Sequence, residues 1–207
     1  KVGGDEVKMK VLFLLQMTLR ALPVLYQGEE IGMRGGDFSP DKATDPLSQG
    51  LGWAPKWLLN ALGVFVTRDD ARTPMQWDTS PHAGFTNANP WLPIGGDWET
   101  ANVDAQEKDP QSLLQFYKKL LHFRSTSAIL KEGTLENLKE TEDLLQFDRV
   151  FLEGKKKKAL RILLNFSPKS KSIEISGKVV LATHPSLQNK PTPLDLPGIS
   201  GIVVEFH

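Results

Sequence analysis

The sequence predicts an α/β segment followed by a small all-β domain. Three observations carry this reading. Near the start, a helix-period apolar pattern runs into a short continuous apolar stretch of the kind that forms a buried parallel strand. A second amphipathic helix follows a long turn-rich region. Beyond Gly133, short β-rich runs alternate with turns, the texture of an antiparallel sandwich.

The elements follow in order. Asp5 has the chemistry of an N-cap, with glycines before it and Glu6 in the first turn. Residues 7–20 read as a helix with Val7, Val11, Leu12, Leu15 and Leu19 on one stripe, and apolar residues spill beyond that stripe. Residues 22–26 read as the buried strand, so helix and strand make half of a βαβ crossover. Residues 29–109 form a long stretch rich in Gly, Pro, Asn, Asp and Trp, with a short helix expected at 56–65. Its tryptophans argue against disorder, and its glycines and prolines for an ordered, turn-rich lobe. Asp109 and Pro110 mark a helix start. Leu113, Phe116, Tyr117, Leu120, Leu121 and Phe123 then recur at helical spacing up to Arg124. Strands are predicted at 144–152, 159–166, 172–175, 179–183 and 202–206, with "EGKKKK" as the tip of a hairpin and its lysines as a solvated turn.

Composition excludes several function classes. The 207 residues are 40% hydrophobic and 24% charged, enough to bury a core. Net charge is zero, so no long-range basic field would draw nucleic acid or an anionic membrane. With no cysteine there is no disulfide and no thiolate nucleophile, and the four scattered histidines have no zinc spacing; no metal site and no cofactor is predicted. The lack of cysteine suits a reducing cytoplasm. The longest apolar run, 11–15, is far too short to span a membrane. The chain opens in the approach to a helix, with no initiator methionine and no signal-peptide pattern, and reads as a piece of a longer protein.

Five stretches carry a specific resemblance. They are "LPVLYQGEEIGM" at 22–33, "RDDARTPMQWD" at 68–78, "AGFT" at 83–86, "PWLPI" at 90–94 and "NVDAQEKDPQSLLQFYKKLLHFR" at 102–124. In order and approximate spacing they resemble the α-glucosidase and oligo-1,6-glucosidase branch of the α-amylase superfamily. The resemblance implies the C-terminal part of a TIM (β/α)8 barrel: residues 5–20 as the seventh helix, 22–26 as the eighth strand, 29–109 as the loop lobe and 111–124 as the eighth helix. Two domains are implied, 1–130 from the barrel and 131–207 as a C-terminal β-sandwich. Barrel active sites lie at the C-terminal ends of the strands, so the lobe is expected at the rim of the substrate pocket.

The resemblance also implies a chemistry. Members of the branch are retaining glycosidases, which need a carboxylate nucleophile and a carboxylic acid across the scissile bond. The family's third carboxylate sits in an Asn-His-Asp motif, which occurs nowhere in this sequence. All three are expected upstream, so no catalytic residue is assigned within this chain. Arg72 is the leading substrate-binding candidate, because the resemblance implies that the family's arginine in "RTPMQW" reaches into the pocket that holds the terminal, non-reducing glucose. A guanidinium offers fixed donors that match the oxygens of sugar hydroxyls. Arg68 is the second, weaker candidate and is read as structural ahead of binding, stacking on the lobe or pairing with Asp69 or Asp70. Asp69 and Asp70 are read as turn formers, Glu29 and Glu30 as structural acids, and Met75 and Trp77 as buried anchors that clamp the Arg72 loop. Trp91 and Trp98 are read as lobe packing ahead of sugar stacking; His82 and His122 are read as surface residues. Residues 37–66 are longer and more apolar than the family's usual link, which bears on chain-length and linkage preference. The implied partner is an oligosaccharide or disaccharide. The implied function is that of an α-glucosidase, against a non-catalytic transporter heavy subunit or a glucosyl-transferring relative such as a trehalose synthase or sucrose isomerase.

Overall fold

The computed structural model describes residues 4–36, 44–50, 53–62, 67–174, 176–191 and 194–206. Two compact units emerge from the contacts: residues 25–114, and residues 1–24 together with 115–207.

In the second of these, helix α1 spans Glu6–Thr18 and begins as expected. The Asp5 carboxylate accepts hydrogen bonds from the Val7 and Lys8 N–H groups, satisfying two of the orphan donors of the first turn. The buried face is Val11, Phe13, Leu14, Met17 and Thr18, while Val7 and Leu12 are exposed. The predicted stripe was therefore rotated: in a helix apolar nearly all round, periodicity alone does not choose the face. Helix α5 spans Leu113–Thr126. It starts later than the Asp109–Pro110 signal, because Asp109 forms a turn in which its carboxylate and carbonyl accept from Gln111 and Ser112. Phe13 of α1 stacks on Tyr117 and meets Phe116 edge-on. A short helix, α6 (Ala128–Glu132), leads into the sheet and is capped by Ser127, whose hydroxyl accepts from Leu130 N–H.

The β region is antiparallel, as expected. Strands β1 (Thr134–Glu140), β2 (Leu144–Glu153), β3 (Lys156–Asn165), β5 (Lys178–Ala182) and β7 (Ser200–Phe206) form one sheet in the order β1-β2-β3-β7-β5. A second sheet pairs β4 (Lys171–Ile173) with β6 (Leu194–Leu196). Leu163, Ile173, Val179, Leu196, Ile202 and Val204 build a core shared by the two sheets. The β2–β3 hairpin turns at "EGKKKK", with Gly154 at φ 62. Strand β1 escaped the sequence reading because its pattern is mostly polar: it pairs only with β2 and is largely exposed. Of the predicted strand at 172–175, residue 175 lies outside the described residues.

Residues 22–26 depart from expectation. They form no strand, and Leu22 and Val24 are 87% and 71% exposed. A parallel strand needs neighbours on both sides to pair its backbone and cover its faces, and among the described residues none is paired with this segment.

The unit at 25–114 is built of turns and short helices: α2 (Pro46–Gln49), α3 (Lys56–Ala61) and α4 (Val103–Lys108). The predicted helix at 56–65 is present as α3, and residues 63–66 of that expectation lie outside the described residues. Much of the apolar link at 37–66 lies outside them too. Helix α4 went unpredicted because it buries no side chain; Asn102 caps it, and Lys108 pairs with Asp104 at 2.7 Å. Among the described residues no helix is long and apolar enough to cross a membrane.

Candidate functional site

The "RDDARTPMQWD" stretch begins as a 3₁₀ turn, Asp69–Ala71, whose first carboxylate is buried. Asp69 Oδ2 accepts from Thr44 N–H at 2.7 Å, Thr44 Oγ1 at 3.0 Å and Asp45 N–H at 3.1 Å. Burial pushes its pKa up, but these hydrogen bonds and one from Thr67 outweigh that and hold it below the ordinary aspartate value. Asp69 thus does more than form a turn, since it gathers the 44–45 segment under the loop.

The two candidate arginines differ sharply. Arg68 is bound to Asp45 through its backbone N–H at 2.9 Å, Nε at 2.8 Å and Nη2 at 2.6 Å. That fork-to-fork pairing is structural, and its partner, Asp45, carried no signal in the sequence. Arg72 makes only a loose ion pair, with Nη1 3.8 Å from the Asp69 Oδ1, and its side chain is 41% exposed. Among the described residues its guanidinium donates no hydrogen bond, so its planar fork is anchored at one edge and open at the others.

The loop around Arg72 is held from beneath. Thr73, Pro74, Met75 and Gln76 are buried. Met75 packs with Ile31 and Leu114. Gln27, just after the 22–26 segment, donates to the Thr73 carbonyl at 3.1 Å. Trp77 is not the buried anchor expected: it is 48% exposed, and its backbone does the holding. Its N–H donates to Ala83 O at 2.9 Å and its carbonyl accepts from Asp104 N–H. Residues 82–84 follow in the left-handed region, with φ of 56, 56 and 66. At Gly84 a Cβ would lie 2.7 Å from Asp78 Oδ2, so a side chain there would push the Asp78 carboxylate aside. Trp91 is exposed and not packed in the lobe, whereas Trp98 is half-buried. Glu29 plays the structural part expected, accepting from the Tyr26 N–H.

The model of the α-amylase catalytic domain matches residues 2–133. The chain belongs to the α-amylase family. Within that family it is similar to an oligo-1,6-glucosidase of Parageobacillus thermoglucosidasius, 31% identical over 88% of this chain and 33% of that protein. It is also similar to an amino acid transporter heavy chain of Mus musculus, 32% identical over 86% of this chain and 23% of that protein. This α-amylase family chain therefore spans about a third or less of the length of these relatives. In fold it resembles the trehalulose synthase of Pseudomonas mesoacidophila MX-45, with a TM-score of 0.80 and 23% identity over 96% of this chain and 38% of that one.

Proposed function

We propose that this chain is the C-terminal part of a retaining α-glucosidase that cleaves terminal α-glucosidic bonds of maltose- or isomaltose-type oligosaccharides. The observation that supports it most is the contrast between the arginines. Arg68 commits its fork to Asp45, whereas Arg72 keeps donors open on a loop built to hold it still. Such a group suits the clustered hydroxyls of a terminal glucose. In this reading the nucleophile, the acid and the assisting aspartate lie upstream. Residues 1–130 close a (β/α)8 barrel and 131–207 form the appended β-domain. The segment 22–26 then finds its strand partners in earlier barrel strands, which accounts for the exposed Leu22 and Val24.

The test has two arms. The 207-residue chain alone is expected to show no turnover of p-nitrophenyl α-glucoside, and the complete polypeptide is expected to hydrolyse it with retention of anomeric configuration. Turnover by the isolated chain that survives Arg72→Ala and further purification would refute the reading. A complete polypeptide inert on maltose and isomaltose would favour the second reading, a non-catalytic transporter heavy subunit, which the likeness to the mouse protein supports. Release of a sugar isomer in place of free glucose would reassign it to the glucosyl-transferring relatives.

A further inference from the structure

Arg72 closes the Asp69–Ala71 turn with φ −113 and ψ 8, and its N–H donates to the Asp69 carbonyl at 2.9 Å. That bond holds the arginine from its N-terminal side. On its C-terminal side lie Thr73, Pro74 and Met75, all buried and outside any helix or strand. Pro74 has no N–H to donate, and it biases Thr73 toward extended backbone. Among the described residues one hydrogen bond reaches 73–75, from Gln27 Nε2 to the Thr73 carbonyl at 3.1 Å. The buried Thr73 hydroxyl makes none. Gln27 opens the turn that follows residues 22–26, and Gly28 at φ 81 bends the chain directly after it. Ile31 of the same turn packs with Met75. The turn is fastened in its own right, because Gln106 donates to the Ile31 carbonyl at 2.8 Å and accepts from the Leu114 N–H at 3.0 Å. Residues 27–31 thus hold 73–75 at two points, one on each side of Pro74.

We infer that Gln27 is a positioning residue for Arg72. It touches no substrate. Its amide holds the peptide that follows Arg72 against the end of the 22–26 segment, and so aims the guanidinium. The inference rests on the proposed role of Arg72 at a terminal glucose. Barrel enzymes build their sites from the C-terminal ends of strands and the loops that follow. In that frame, a link from strand end to loop ties the arginine to the scaffold that carries the carboxylates. Misplacing a binding group by about 1 Å can cost about 100-fold in rate. Gln27 is itself exposed and contributes one hydrogen bond, so its loss should be felt in kinetics far more than in stability.

The test is a double-mutant cycle in the complete polypeptide, read as kcat/KM on maltose with circular dichroism melts alongside. Gln27→Met keeps the length of the side chain and removes the donor. It should lower kcat/KM by about 10–100-fold and hardly move the melt. In the Arg72→Ala background the same change should alter kcat/KM by less than about twofold, because no guanidinium is left to aim. Gln27→Glu, which puts an acceptor in the donor's place, runs the same cycle and decides if Gln27→Met does not fold. Failure of both variants to fold would make Gln27 an anchor of the fold and overturn the inference. An equal loss in both backgrounds, or no loss beside an intact Arg72, overturns it as well, while the reading of Arg72 stands if Arg72→Ala is itself impaired. Unchanged kinetics in Arg72→Ala would instead fail that reading, and the inference with it.

Discussion

At the scale of single residues, Arg68 and Arg72 flank the Asp69–Ala71 turn, and their surroundings separate them. Asp45 takes the fork of Arg68, whereas among the described residues Arg72 makes only the loose contact to Asp69. If Arg72 grips hydroxyls of the terminal glucose, Arg72→Lys in the complete polypeptide should lower kcat/KM by about 10–150-fold for each charged hydrogen bond lost. Its melting temperature should hardly move, because the side chain is half-exposed and the loop is anchored elsewhere. Kinetics on maltose and isomaltose, with melts alongside, check both halves. Met75→Ala should behave differently. It opens a cavity against Ile31 and Leu114 and should cost about 2–5 kcal/mol, seen as an earlier denaturant midpoint together with reduced activity.

At the scale of elements, the end of α1 shows how distant residues complete a local structure. Its last turn carries no basic residue to offset the unpaired carbonyls. Two arginines supply the donors from elsewhere. Arg124 of α5 donates to the carbonyls of Met17, Leu19 and Ala21. Arg149 of β2, fully buried, donates to Thr18 O at 2.7 Å, Gly133 O at 2.7 Å, Leu130 O at 3.0 Å and Thr134 O at 3.3 Å. Burial, with Arg124 and Arg20 nearby, brings its pKa down to about 10, which still leaves it charged at neutral pH. One side chain thus joins α1, α6 and the start of β1. Arg149→Met should leave several buried carbonyls without donors and cost about 3 kcal/mol or more. Urea melts should report the loss, and amide hydrogen exchange should speed up in α6 and β2 before β7.

At the scale of the whole molecule, stability should depend on acid through Asp148. This carboxylate is buried in β2 and receives Arg161 Nε at 2.7 Å and Nη2 at 2.8 Å, with Asn137 Nδ2 at 2.8 Å. Burial raises its pKa, but the bonds from Arg161 and Asn137 outweigh it, so the folded value lies below the ordinary 3.8. A depressed folded pKa means that the stabilisation is complete above the unfolded value and is lost as pH falls through the folded one. Asp148→Asn should therefore cost about 3 kcal/mol at neutral pH. The gap to the unmodified chain should close as melts are taken to more acid pH. A second expectation concerns the β region. Expressed without α1 and α6, residues 134–207 should melt earlier and less cooperatively, because Arg149 would lose its partners at Thr18, Leu130 and Gly133.

What the sequence determined by itself was local and periodic. The Asp5 cap, the two long helices, the β2–β3 hairpin and most of the antiparallel strands follow from spacing, capping and turn chemistry, which act over a few residues. The motifs around Arg72 were also legible, because their order along the chain is itself the signal. Only the tertiary structure decided which face of α1 is buried, that Trp77 and Trp91 stand exposed, and that 22–26 finds no strand partner among the described residues. It alone set Asp45 against Arg68, Arg149 among the carbonyls, and Gln27 against Thr73. Each of these joins segments far apart in the chain, where a side chain's role depends on what folding brings to it and not on its neighbours in sequence.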